Sequence, residues 1–389
     1  MNPRDVVIVS ACRTPIGKNM GQFKDVRARQ LAITAGAEAI KRADIDPKLI
    51  DGIVMGECFT AMEGSLAARQ VSMRLGFSER SNACVVNQNC ASGMRALDIQ
   101  ANNILLGKED IGMVIGVESM TNAPYVLEKA RMGYRMGDSK IFDNMLHDGL
   151  IDELSGGHMG LTAENVAEKY GITREECDKI AVRSHNLACK AIDEGIFKDE
   201  IVPVVIKTKK GEKVITDDEH PIRGCTMETL AKLKPAFKKD GVITAANASG
   251  INDAAAAVIL MSWEKCQELG KKPMAKLVTC VAEGVAPEVM GLGPAVAMPK
   301  ALKAAGLKWE DIDYFEVNEA FSAQVLGVER MLKEDYGYVV DWDKTNKFGS
   351  GIALGHPVGC TALRIIVTLV YEMIRSDYKY GMASLCVGG

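Results

Sequence analysis

The 389-residue chain is 47% hydrophobic and 25% charged, with a net charge of −4; that is a globular make-up, too long for one simple core and without a basic footprint for nucleic acid. Its eleven cysteines form no C-x-x-C pair and its five histidines no metal-ligand spacing, so no zinc or iron–sulfur site is expected. No apolar run reaches the length of a membrane span, and the first residues run straight into a strand pattern, so a cytoplasmic chain with reduced cysteines and no membrane contact is expected.

The first strand is predicted over Val6–Ser10. Lys41–Glu57 then reads as the end of a helix, a turn and a strand. Ala83–Val86 looks like a buried segment, and it leads to Cys90. A helical pattern opens directly behind, from Ala91 to about Gly107. This puts one thiol at a helix N-terminus, where unpaired N–H groups and the positive end of the dipole favour thiolate, the nucleophilic form. Most free cysteines are small core residues. Cys90 is set apart by its company: Asn318-Glu319-Ala320-Phe321, Gly355-His356-Pro357 and Cys386-Val387-Gly388-Gly389. A thiol, an imidazole, an amide and a second thiol, each on a glycine- or turn-rich segment, suit covalent acyl chemistry.

A continuous apolar strand follows at Asp110–Val117. From Thr121 to Gly250 runs a long insert rich in Met, Gly, Lys and Asp, with helices predicted at Thr162–Tyr170 and Thr173–Gly195. Thr173 and Glu176 form a capping box at the start of the second. The lysine-dense runs Lys207–Lys213 and Lys232–Lys239 read as solvated faces. Residues 245–253 mix small and polar side chains, as a loop close to a ligand would. Gly291–Pro294 and Gly349–Gly355 lack the acidic partner of a dinucleotide fingerprint and read as tight turns. A helix over Ala362–Arg375 and a strand over Met382–Val387 close the chain.

The chain also repeats itself. Lys41–Glu57 aligns with Lys303–Glu319, and Ile111–Val117 with Tyr380–Cys386, at nearly one offset and each strand preceded by a helix. Two related α/β units on either side of the insert are expected. Their unbroken apolar strands suit sheets covered on both faces.

Taken in order, the Cys90 segment, Asn318–Phe321, Gly355–Pro357 and Cys386–Gly389 resemble the thiolases over nearly the whole chain. So do Arg131–Gly137, His158–Gly160 with Thr162–Asn165, and Leu233–Phe237. The pair His158-Met159 resembles the short-chain, biosynthetic branch. The resemblance implies an α/β thiolase fold, two repeated βαβαββ halves in layers with an inserted loop domain. It implies residues 1–120 as the N-terminal half, with 251–271 returning to it, 121–250 as a loop domain covering the active site, and 272–389 as the C-terminal half. The implied reaction is a Claisen condensation of two acetyl-CoA to acetoacetyl-CoA and CoA, or its reverse. The alternatives are a broader-chain 3-ketoacyl-CoA thiolase and a non-catalytic CoA-binding scaffold. By this likeness Cys90 is the nucleophile and His356 its base. Cys386 is the second acid/base, Asn318 holds a water, and Gly388 joins the Cys90 N–H in an oxyanion hole. Glu319 orients its neighbours. His158, Met159, Leu150, Arg223, Thr229, Phe237, Ala248, Ser249, Met290 and Phe321 are the implied substrate contacts. No cofactor or metal is expected, and a homotetramer is, with Arg131–Leu146 facing a partner. The chain departs from the family pattern at Phe348-Gly349-Ser350, Thr361-Ala362-Leu363, Ala246 and Ala254. An arginine of the nucleotide site is shifted by one to Arg223, behind Ile222. The chain ends at Gly389, where the family continues into a last strand.

Overall fold

The computed structural model describes residues 1–209 and 211–389; Lys210, within the run Lys207–Lys213, lies outside them. Its frame is one large sheet. Strands β1 (Val6–Arg13), β2 (Gly52–Gly56), β3 (Asn82–Val86), β4 (Ile111–Ser119) and β5 (Asn252–Ser262) run in the order β1-β5-β4-β2-β3, with Ala275–Lys276 beyond β1 and Gly17–Lys18 against the start of β5. β5 is antiparallel to β1 and β4, whereas β4, β2 and β3 are parallel.

Every residue of β1, β2, β4 and β5 is buried. The reason is helices on both faces. On one side α1 (Ala28–Ala43) and α2 (Ala67–Arg74) pack Leu31, Ala35 and Val71 against Val7, Ile53, Met113 and Ile259. On the other, α3 (Ser92–Leu105) and a long C-terminal helix pack Leu97, Ile104, Leu363 and Val367 against Ile8, Val54, Val114 and Val258. The two sets alternate along each strand, as the pleat requires. β3 differs from its expected buried character. It is an edge strand with one neighbour, and its residues are half-buried or exposed.

The insert contributes α4 (Met159–Tyr170) and α5 (Arg174–Asp193). The capping box of α5 is present: Thr173 N donates to Glu176 Oε2 at 2.8 Å, and Glu176 N donates to Thr173 Oγ1 at 3.3 Å. The insert is tied to β1 by buried Arg13, whose guanidinium meets Glu200 at 2.5 Å and Asp218 at 2.8 and 2.9 Å.

The second half follows with α6 (Gly293–Ala305), β6 (Tyr314–Val317), α7 (Ser322–Tyr336), α8 (Val358–Ser376) and β7 (Gly381–Ser384). The internal repeat is visible in space. α1, a 3-10 turn and β2 correspond to α6, a 3-10 turn and β6; β2 pairs in parallel with β4 as β6 pairs with β7. α8 touches β4 and β5 on one side and β6 and β7 on the other. Residues Val358–Val370 of α8 are therefore buried all round, the mark of a helix in a middle layer. α6 and α7 close the far side of β6. The layers run helix, sheet, helix, sheet, helix. α3 and α8 share the central layer and approach closely: a Cβ on Gly93 would lie 3.0 Å from Leu363.

Candidate active site

The residues preceding α3 and α8 meet at the helix N-termini in the central layer. β3 runs out of the sheet into the turn Asn87–Ala91, which delivers Cys90. On the other chain segment, Gly355 takes φ 103°, a left-handed value, and a Cβ there would strike the Asn252 side chain at 2.5 Å. His356 follows, its N–H donating to Asn252 Oδ1 at 2.9 Å. The His356 Nε2 lies 3.2 Å from Cys90 Sγ, and Nδ1 lies 2.6 Å from Thr361 Oγ1. The Thr361 hydroxyl donates to Pro357 O at 2.9 Å. Its one proton used there, Thr361 accepts from Nδ1–H, which leaves the Nε2 lone pair facing the Cys90 thiol.

The backbone N–H groups of Cys90 and Gly388 both face Cys90 Sγ and favour its ionised form. Burial outweighs them and pushes the thiol up to about 11. Burial, with the positive charge of Arg364, pushes His356 down to about 3. The resting pair is therefore a neutral thiol and a neutral imidazole. The thiolate expected from the helix N-terminus alone is not the resting form, because desolvation exceeds the helix contribution. Cys386 is fully buried; burial raises its thiol far above the ordinary range and the nearby Cys90 raises it further.

Asn318 sits just past the end of β6, its N–H donating to Ser384 O at 3.0 Å. Its side chain is fully buried, and neither Oδ1 nor Nδ2 has a hydrogen-bond partner. Such a group calls for a small polar ligand or water. Glu319 is occupied: it accepts from Ser184 Oγ at 2.5 Å and Asn346 Nδ2 at 3.0 Å.

Around this centre the structure gathers most of the expected contact residues. The Met159 thioether lies against Gly388, where a Cβ would come within 2.1 Å of its Cε. His158 stacks on Phe237 at 4.7 Å, and Phe237 meets Phe321 edge-on at 6.0 Å. Ala248 bridges to Phe321, and Ser249 N donates to Ala320 O at 2.9 Å. Leu150 packs in one cluster with Cys90, and Met290 shares the core of Met159 and Phe321. Arg223 and Thr229 stand apart on an exposed stretch. Arg223 makes a bidentate pair with Asp193 at 3.0 and 2.8 Å, and Thr229 Oγ1 donates to Thr226 O at 2.8 Å. A cavity of about 680 Å³ lies between Ala275–Pro287, α6, α8 and β7. It borders Met290 and Gly388, but Cys90, His356 and Cys386 are not in its wall.

Sequence reasoning missed Asn89 and Asn252 and saw Thr361 only as a departure. The signal for Asn89 was its residue type: asparagine before a nucleophile is a natural occupant of a left-handed turn. Among the described residues no group of three or more His, Cys, Asp or Glu could hold a metal, and no helix is long and apolar enough to cross a membrane.

A half-buried thiol matched to a buried imidazole base, set between two sheets at helix N-termini, defines an α/β acyl-transfer enzyme. The chain belongs to the thiolase family: residues 6–264 match the model of the thiolase N-terminal domain and residues 271–389 that of the C-terminal domain. An acetyl-CoA acetyltransferase of Syntrophomonas wolfei is 51% identical over 99% of this chain and 97% of its own length. A solved acetyl-CoA acetyltransferase from Syntrophomonas wolfei, 63% identical, superposes with a TM-score of 0.99 over 100% of this chain and 97% of that one. Human mitochondrial 3-ketoacyl-CoA thiolase in complex with CoA, 38% identical, superposes at 0.94 over 100% of this chain and 96% of its own.

Proposed function

We propose that the protein is an acetyl-CoA C-acetyltransferase, which condenses two acetyl-CoA to acetoacetyl-CoA and CoA and catalyses the reverse thiolysis. The observation that carries this is the 3.2 Å contact of Cys90 Sγ with His356 Nε2, beneath the N–H groups of Cys90 and Gly388. His356 takes the Cys90 proton as the sulfur attacks the thioester carbonyl. The two N–H groups receive the oxyanion. The intermediate collapses to acetyl-Cys90, and the departing CoA sulfur takes the proton of Cys386.

The second acetyl-CoA then loses a methyl proton to the Cys386 thiolate. His356, carrying the first proton on Nε2, and the unpaired Asn318 amide with a water face the enolate oxygen. The carbanion attacks acetyl-Cys90 and acetoacetyl-CoA leaves. Cys90 recovers its proton from His356. Every proton is returned, and no cofactor is needed, since the thioester itself acidifies the α-carbon.

The pantetheine arm passes His158, Phe237 and Phe321. Thr229 and Arg223 lie on one outer stretch, and Arg223, by family likeness the arginine of the nucleotide site, must leave Asp193 to reach the adenosine. The segments 1–120 with 251–271, 121–250 and 272–389 act as the three domains of this reading. A homotetramer is supported by the apolar residues that 125–141 turns outward, among them Met132 at 77% and Met136 at 98% exposure. Eleven free cysteines support a cytoplasmic setting. The test is loss of the absorbance of magnesium-bound acetoacetyl-CoA on adding CoA. Folded protein with no turnover of this substrate would overturn the proposal.

A further inference from the structure

Asn89, the residue before Cys90, is unusual in both backbone and side chain. Its φ is 44°, in the left-handed region that asparagine tolerates and branched apolar residues avoid. Its carbonyl accepts from the Cys58 thiol at 3.2 Å, the Ser92 hydroxyl at 2.7 Å and Ser92 N at 3.0 Å, so the peptide leading to Cys90 is held from several sides. The side chain is not used within its own loop. Nδ2 donates to Gly388 O at 2.6 Å, across to the far end of the chain. The fit is tight: a Cβ on Gly389 would come within 2.5 Å of Nδ2.

The two donors facing Cys90 Sγ are thereby joined through one residue. The Cys90 N–H belongs to the peptide whose carbonyl is Asn89's. The other donor belongs to Gly388, whose carbonyl the Asn89 amide holds. Gly388 and Gly389 have no side chains to anchor them, and glycine backbone is the most free to wander. We propose that Asn89 is a positioning residue for the acetyl-transfer step: it braces the nucleophile turn against Gly388 and so fixes the spacing of the two N–H groups that receive the oxyanion. This rests on the reading of Cys90 as the acetyl carrier.

Two variants separate the brace from the turn. Asn89→Gly accepts the left-handed φ but has no amide. Asn89→Asp keeps size and turn preference but sets a carboxylate oxygen against Gly388 O. The measurements are single-turnover acetylation of Cys90 from acetyl-CoA, followed by mass spectrometry, and steady-state thiolysis of acetoacetyl-CoA, with circular dichroism to verify folding. Both variants are expected to lower acetylation and kcat by roughly 10²-fold, the loss that a misplacement of about 1 Å at the reacting centre can cause. KM should stay within about twofold, because the donors act on the transition state rather than on the bound thioester. Wild-type acetylation in Asn89→Gly would show that only the turn matters and would overturn the brace, and so would a rise in KM with kcat unchanged. If Asn89→Asp does not fold, Asn89→Gly decides alone. Absence of acetyl on Cys90 in the wild type would overturn the nucleophile assignment and the brace with it, an outcome distinct from normal acetylation in both variants.

Discussion

At Cys90 and His356 the proton rests on sulfur, because burial raises the thiol to about 11 and lowers the imidazole to about 3. Catalysis then depends on the substrate oxyanion making ionisation favourable at the moment of attack. Cys90→Ala should abolish turnover and leave no acetyl on the protein after exposure to radiolabelled acetyl-CoA; stable label on that variant would place the nucleophile elsewhere. His356→Ala should slow the reaction by roughly 10²–10⁴, the range for losing a general base. A second residue-scale expectation concerns Met159, which is buried and packed on Gly388. It therefore fills space next to one of the two N–H donors that face Cys90 Sγ, and two added acyl carbons should be strongly disfavoured, at about 1–3 kcal/mol per methylene. The ratio of kcat/KM for acetoacetyl-CoA over 3-ketohexanoyl-CoA should fall in Met159→Ala. An unchanged ratio would clear Met159 as the gate.

Among the elements, β2 and β4 are parallel neighbours whose C-terminal ends carry two buried carboxyls. Glu118 accepts from the N–H groups of Cys58 and Phe59 at 3.1 Å and of Gly359 at 2.8 Å, which ties β4 to the first turn of α8. Glu57, just past β2, has no hydrogen-bond partner on either oxygen, and burial, then the charge of Glu118, push it up to about 9. A carboxyl raised in the folded state contributes stability below its unfolded pKa and loses it as pH rises through the folded one. Above about pH 6.5, where the histidines are neutral folded and unfolded, stability should therefore decline toward about pH 9, and Glu57→Gln should flatten that decline. Urea midpoints across the interval measure it; parallel slopes for the two proteins would show that Glu57 does not titrate there.

For the whole molecule, the acid side is set by histidines held neutral. Burial lowers His356 to about 3 and His185 to about 4, and lowers His158 and His220 as well. The unfolded chain takes up these protons first, so stability present above about pH 6.5 is lost as pH falls toward the folded values. The melting temperature should drop steadily below that pH, and a flat profile from about pH 7 to pH 4 would contradict the assignment. Assembly is the other molecular expectation. Leu127, Met132, Tyr134, Met136 and Ile141 leave an apolar surface on residues 125–141 that water does not favour. Light scattering should report a tetramer, and polar replacement of Met132 and Met136 should dissociate it. A wild-type monomer at micromolar concentration would exclude the idea.

Sequence by itself determined the features written within a dozen or so neighbouring residues. The apolar run of β4 announced a strand covered on both faces, Thr173 and Glu176 marked the start of α5, and the aligned segments ending in β2 and β6 announced two related units. Periodicity and capping are local, so they are legible without a fold. The motifs around Cys90, Asn318, His356 and Cys386 named the chemistry because each carries its reactive group with its own turn. Tertiary structure decided the rest. It exposed β3 as an edge, paired Arg223 with Asp193, drew Thr361 onto His356, set Asn89 against Gly388, and kept the proton on Cys90. Most of these turn on contacts between distant segments. The state of Cys90 turns on the removal of water, which no single stretch of sequence carries: the helix N-terminus that favoured a thiolate was visible, while the desolvation that outweighs it arises only when both halves close over the sulfur.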